Sequence, residues 1–388
     1  MSASGPGRRS DGRGLDVCLV AHFAYGAMTG GEAGHVGGVE RQTSLMARWL
    51  AARGHRVGLV TWAEGPPGDE TIDGVRILKT CPRDAGLPGA RFFHPRWTSL
   101  VAALARADAA TYYQNCAEYV TGQVALWARR HERRFVYSVA SDMDCDPQLP
   151  DLPTWRERRL YRYGLRQARP AIAQTESQAA RLREHFGADS LVIPMPCPGP
   201  DPSAYSAPEW RPGGRVLWVG RICQVKRPDR LLDVASACPE IGFDVVGPPD
   251  GDAYVTDVLR RARDVPNVVV HGRASRAQMD AFYRGAAALL CTSDREGFPN
   301  TFLESWSQGL PVVSTFDPDG LIGRLGLGAA VSTEPAAIAT ALRGLVGSRE
   351  AWTEASRRAR QHYLSNHTVD EVMRRFESVL VPSGERRA

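Results

Sequence analysis

The stretch from Ala288 to Ser314, ALLCTSDREGFPNTFLESWSQGLPVVS, restricts the fold more than any other part of the chain. It opens with a short apolar run that reads as a buried strand and turns at Glu296-Gly297-Phe298-Pro299. A helical pattern then begins at Asn300 or Thr301. Asn300 is a suitable amino-terminal cap and Gly309 a suitable stop, and Leu310 to Ser314 supplies a second strand. Strand, loop, helix, strand is the repeating unit of a parallel sheet. Such sheets bind ligands at the carboxyl ends of their strands, where the loop from Ser293 to Asn300 falls.

Glu296 lies in that loop and Glu304 about one turn into the helix, so both can face a ligand resting on the helix amino terminus. That terminus favours anions such as phosphate. Carboxylates are poor phosphate ligands, but they accept hydrogen bonds well from sugar or ribose hydroxyls. The plain alternative is two solvated acids.

The flanking pattern, Glu-Gly-Phe-Pro followed by Glu-x4-Gly-x-Pro-Val, resembles the donor-site signature of retaining GT-B glycosyltransferases of family 4, the group 1 type. The resemblance implies two Rossmann-like doubly wound α/β domains facing a cleft. It implies that Glu296 faces the donor sugar and Glu304 binds the ribose. Main-chain groups of the turn Gly297, Phe298, Pro299 and Asn300, with Thr301 beyond it, would hold the donor.

A second constellation follows the strand-like run Arg215 to Gly220. Arg221 and Lys226 project from a strand end and a helix start, with Pro228 suited to the first helical turn. Two cations beside a helix amino terminus are what a diphosphate leaving group needs as its bond to the sugar breaks, without a metal. Lys79 and Lys226 are the only lysines among 48 basic residues, which singles out Lys226. Gly-Arg-x4-Lys also matches the family's diphosphate site. In the family, the strand end at His271-Gly272-Arg273 holds the nucleotide base, which makes Arg273 a donor-site candidate.

The first half reads as strands at Asp16–Ala21, Val57–Thr61, Val75–Thr80, Thr111–Gln114, Phe135–Ala140, Ala171–Thr175 and Leu191–Met195, about seven in one sheet. Between the first two lie a glycine-rich loop, Gly30 to Gly38, and a helix, Val39 to Arg53. Gly37-Gly38-Val39-Glu40 resembles the family's Gly-Gly-x-Glu opening, whose glycines let donor and acceptor approach. After the fifth strand come Asp142, Asp144 and Asp146. An EF-hand is excluded, because Pro147 and Pro153 stand where Gly and Glu are required. A metal-binding Asp-x-Asp, an active-site rim and an N-capping acid cluster remain open. The family commonly has His-Asp there, and this chain has Ser141-Asp142. Asp142, with Asp144 second, is the candidate for orienting sugar or acceptor hydroxyls.

The expected organisation is a disordered 1–14, an acceptor-side domain at 15–195, a proline-rich linker at 196–212, a nucleotide-sugar domain at 213–360 and a returning helix at 361–388. Net charge is only +5, which excludes a strong nucleic-acid field. Eight scattered cysteines without a Cys-x-x-Cys pair read as reduced, in a cytoplasmic protein. No apolar run approaches the ~18 residues of a spanning helix. Helix 154–169 carries six arginines interleaved with Trp155, Tyr161 and Tyr163. It is either a solvated basic face or, as in some relatives, a peripheral contact with anionic membrane at the inner surface.

The expected activity moves a sugar from a nucleoside-diphosphate sugar, UDP- or GDP-linked, to an acceptor hydroxyl, with retention and no metal or other cofactor. The alternatives are a GT-B-type epimerase, a non-catalytic nucleotide-sugar sensor, and a metal-dependent transferase using Asp142 and Asp144.

Overall fold

The apolar runs become two parallel sheets. A computed structural model describes residues 14–30, 37–203 and 205–381. The expected disorder of the first residues and most of the glycine-rich loop lie outside the described residues.

The first domain runs β1 (Val17–Val20), α1 (Tyr25–Thr29), α2 (Gly38–Ala52), β2 (Val57–Thr61), β3 (Glu70–Ile72), β4 (Val75–Lys79) and α3 (Thr98–Ala107). It continues with β5 (Thr111–Asn115), α4 (Tyr119–Arg130), β6 (Arg134–Ser138), α5 (Trp155–Gln167), β7 (Ala171–Ala173), α6 (Glu176–Phe186) and β8 (Ser190–Val192). The second domain runs β9 (Val216–Val219), α7 (Pro228–Ala237), β10 (Phe243–Val246), α8 (Ala253–Ala262), β11 (Val268–Gly272), α9 (Arg276–Gly285) and β12 (Ala288–Cys291). After it come α10 (Asn300–Ser307), β13 (Val312–Ser314), α11 (Leu321–Leu325), β14 (Gly328–Ala330), α12 (Pro335–Val346), α13 (Arg349–Asn366) and α14 (Val369–Leu380).

The first sheet has eight strands in the order β3-β4-β2-β1-β5-β6-β7-β8, and the second six in the order β11-β10-β9-β12-β13-β14. The first sheet is therefore one strand larger than expected. The extra strand, β3, pairs antiparallel with β4 at the sheet edge. All other pairings are parallel, so the carboxyl ends of β1, β5 and β6 gather at one rim and those of β9, β10 and β12 at another. The central strands β1, β2, β9 and β12 are almost wholly buried, as helices on both faces demand.

The chain leaves the second domain at the end of α13, Asn366, later than the expected boundary at 361. Helix α14 then packs on the first domain. Val372, Met373, Phe376 and Leu380 join Met46, Leu50 and Tyr113 in one core. Trp49 Nε1 donates to Asp370 at 2.7 Å, and Arg53 Nε donates to Glu377 at 2.9 Å.

Candidate active site

The loops after β9 and β12 are bolted together, and this brings Lys226 to Glu296. Trp218 Nε1 donates to the Thr292 hydroxyl at 2.9 Å, and that hydroxyl donates to the Lys226 carbonyl at 2.9 Å. Arg230, buried, donates to the Thr292 carbonyl and to Asp294, while Arg227 also reaches Asp294. With both loops fixed, Lys226 Nζ donates to Glu296 Oε1. Ser293 Oγ donates to the same oxygen at 2.6 Å. The pair is half sheltered, its side chains 29% and 12% exposed.

Beside it lies a cavity of about 610 Å³. Its floor is backbone at Gly220 and Gly247. A Cβ at Gly247, which has φ of 148°, would fall 1.8 Å from the Gly220 carbonyl oxygen, so only glycine fits this wall. Arg221 and Arg273 line it from the second domain, and Arg41, on α2, from the first. Arg221 donates to Asp250 at 3.3 Å. The stem of Lys226 passes behind Gly220, where a Cβ would lie 3.7 Å from its Cγ. Asn300, Thr301 and Glu304, from the first turns of α10, form another side. Tyr283 fixes Glu304 by donating to Oε2 at 2.7 Å.

A smaller cavity of about 410 Å³ shares Arg41, Asn300 and Glu304 and extends to Gly38, Gln42 and the strap Met195 to Pro198. Gly37 caps α2 in an extended conformation, and a Cβ on Gly38 would lie 3.0 Å from Asn300 Nδ2. The glycine pair thus lets two helix amino termini meet at the cleft. Arg41 and Tyr283 were not singled out from sequence. Arg41 directly follows the Gly-Gly-x-Glu stretch, whereas nothing local marks Tyr283.

One expectation about this turn changes. Asn300 is not the cap of α10: the capping position is Pro299, and no side chain caps the helix. Its amide instead turns toward Gly38 across the cleft. Phe298 is buried against Trp306 and His367, so its ring packs the turn rather than facing the cleft. Gly297 faces the first domain, where a Cβ would lie 3.1 Å from Ser141 Cα.

Asp144 is not a rim group. It is 2% exposed and accepts from the Ala140 amide, Ser141 Oγ and the Tyr137 hydroxyl. Burial pushes its carboxyl up to about 6 despite these donors. Asp142 is partly exposed and lines neither cavity; Gln178 Nε2 and Arg181 Nη1 donate to it at 2.9 Å each. No group of three or more metal-ligating side chains occurs among the described residues.

On α5 the arginines serve largely as ties. Arg158 donates to the Leu152 carbonyl and Arg162 to the Pro147 carbonyl, while Arg156 stacks on Phe92. Trp155 stays 71% exposed. Among the described residues no helix is long and apolar enough to cross a membrane.

Two parallel-sheet domains enclosing a cation-lined cleft define the GT-B architecture. Residues 37–198 match the glycosyl transferase 4-like domain, and residues 213–348 match glycosyl transferases group 1. The chain is a glycosyltransferase whose second domain is of the group 1 type.

It is 27% identical over 321 residues to a D-inositol 3-phosphate glycosyltransferase of Nocardiopsis dassonvillei, covering 72% of this chain and 74% of that one. The protein of the same description from Mycobacterium tuberculosis is 25% identical, over 97% of this chain and 86% of its own length. Among solved structures, a sucrose-phosphate synthase from Thermosynechococcus elongatus superposes with a TM-score of 0.74 at 17% identity, covering 94% of this chain and 97% of that one. Anabaena HepE in complex with UDP gives a TM-score of 0.71 at 15% identity, covering 94% and 99%.

Proposed function

We propose that this glycosyltransferase takes its sugar from a nucleoside-diphosphate sugar, UDP- or GDP-linked, and delivers it to an acceptor hydroxyl with retention at the anomeric carbon. One observation carries the reading: the cleft cavity combines a glycine-backbone wall, guanidiniums from both domains and Glu304 at a helix amino terminus. Its volume suits a nucleotide. A diphosphate laid on that wall meets Arg221, with Lys226 adjoining. Glu304 accepts from the ribose hydroxyls, and Arg273 borders the base. Glu296 reaches the sugar once Lys226 turns to the phosphate.

As the glycosidic bond breaks, negative charge grows on the departing oxygen. Arg221 and Lys226 stabilise it in place, so no metal is required. That oxygen is then basic enough to take the acceptor proton, and Asp142 orients the acceptor. The HepE structure with UDP and glucose supports the donor class, since it has the same fold. We place the protein in the cytoplasm, with Trp155 and Arg159 the part of α5 offered to anionic membrane at its inner surface.

The test is a thermal-shift screen with UDP, GDP, ADP and TDP sugars, followed by transfer to candidate hydroxyl acceptors and NMR of the anomeric product. A UDP- or GDP-sugar is expected to raise the melting temperature and give a retained product with EDTA present. Epimerised donor without acceptor would make the protein an epimerase, donor binding without turnover a sensor, and loss of activity with EDTA a metal enzyme.

A further inference from the structure

A carboxylate of the second domain, Asp319, is bonded to backbone amides of the first. Asp319 lies in the turn Pro318–Gly320 that follows β13, in the left-handed region at φ 52°, ψ 21°. Its Oδ2 accepts from the Glu176 amide at 2.8 Å, and its Oδ1 from the Ser177 amide at 3.0 Å. Those two residues open α6, an 11-residue helix of the first domain. The next amide, Gln178, donates to the helix's own cap, Thr175 Oγ1, at 3.1 Å. The first-turn amides of α6 are thus divided between its own threonine and an acid of the other domain. A helix start has unpaired N–H groups and a partial positive charge, so a carboxylate is a fitting partner.

Both sides of this contact lead to the candidate site. On the second domain, Thr315 Oγ1 donates to the Ser293 carbonyl at 3.1 Å, and Ser293 holds Glu296. On the first domain, the first turns of α6 supply Gln178 and Arg181, the two residues that grip Asp142. Asp319 therefore stands between the Glu296 loop and the helix that holds Asp142.

We propose that Asp319 is a cross-domain helix cap that latches the cleft closed and sets α6, and with it Asp142, against the donor turn. The latch rests on the two amide bonds to Asp319, and its kinetic consequence rests on the donor-site reading above. When the domains separate, water replaces both bonds, so the latch contributes only the difference. Helix caps set that difference at roughly two- to thirtyfold in the closure equilibrium.

Asp319 is a positioning residue, and its left-handed backbone makes a clean test. Glycine and asparagine both tolerate that conformation, so Asp319→Gly and Asp319→Asn are expected to fold, with a melting temperature lowered by no more than about 8 °C through loss of the cap. Asparagine keeps one carbonyl acceptor; glycine keeps none.

Small-angle scattering of the full-length protein without ligand is expected to show Asp319→Gly more open than wild type, with Asp319→Asn between them. Donor KM is expected to rise several-fold in Asp319→Gly with a smaller change in kcat, and to be partly restored in Asp319→Asn. Scattering of Asp319→Gly identical to wild type would overturn the latch, whether or not the protein transfers sugar. Open scattering with wild-type donor KM would overturn the positioning role. Absence of transfer by the wild type would instead overturn the donor-site reading and leave the scattering result standing.

Discussion

Lys226 and Glu296 hold each other in the cleft, and neutralising them in turn separates a structural pair from a catalytic one. Their contact is charge-assisted and half sheltered, at 29% and 12% side-chain exposure. It therefore ranks above an exposed ion pair and below a fully buried one, with a coupling of about 1–2 kcal/mol. In Lys226→Met, Glu296 keeps only the Ser293 hydroxyl of the two donors described above. In Glu296→Gln, Lys226 faces a neutral amide.

Each single variant is expected to melt roughly 2–8 °C lower, taking 2–4 °C per kcal/mol for a domain of this size. The double variant should lose less than the sum, because neither charge is left behind. Activity should behave differently. If the ammonium stabilises the leaving diphosphate, Lys226→Met lowers kcat by about 10²–10³, as loss of one such donor does elsewhere, and adding Glu296→Gln restores nothing. The assay is donor turnover beside thermal melting for all four proteins. Turnover of Lys226→Met within a few-fold of wild type would refute the reasoning, as would recovery of turnover in the double variant.

Gly247→Ala places a methyl 1.8 Å from the Gly220 oxygen at a backbone of φ 148°. It is expected to cost more than about 3 kcal/mol and to abolish the thermal shift by whichever nucleotide sugar the screen identifies, as calorimetry with and without that compound would show. Gly297→Ala meets Ser141 Cα at 3.1 Å and the Ala140 oxygen at 3.2 Å, neither able to swing aside. It should hold the domains slightly apart, lowering kcat about tenfold with little change in melting temperature. Burial raises Asp144 from 3.8 to about 6, so the folded protein binds more protons than the unfolded chain between those values. Stability from this group therefore falls as pH rises through that window, by roughly 2–3 kcal/mol. Asp144→Asn should flatten the slope in denaturant titrations at successive pH values.

The parallel units were legible because each strand is an apolar run bounded by turn residues. Strand β2 coincides with its expected span, Val57–Thr61. Short elements without an apolar run were not legible: β3 is Glu-Thr-Ile, and α1 and α11 have five residues each. The two carboxylates of the signature stretch and the Arg-Lys pair stood out by residue type, yet their meeting required strand order. The sequence places Lys226 on the β9 side and Glu296 on the β12 side, and only the adjacency of those strands brings the loops together. Alternating acids at 142, 144 and 146 reveal nothing of burial. Asp142 stays partly exposed while Asp144, two residues on, points inward to Tyr137.

The interdomain behaviour follows from how the chain crosses twice between its halves. The first crossing is the proline-rich strap after β8, and the second is at His367, between α13 and α14. The two crossings touch. His367 Nδ1 meets the Met195 carbonyl at 2.9 Å, and the Cys197 amide donates to the His367 carbonyl at 2.8 Å. Burial drives the His367 imidazole down to about 3, which keeps it neutral beside its neighbour His362. Phe298, from the donor turn, packs on this same imidazole with ring centroids 5.6 Å apart, and Trp306 lies against both. The turn proposed to hold the sugar is therefore seated on the hinge. Packed interiors shift between discrete arrangements rather than deforming smoothly. A change in cleft angle must either carry Phe298 with it or break that packing, so, on the proposed donor site, donor grip would be coupled mechanically to domain closure.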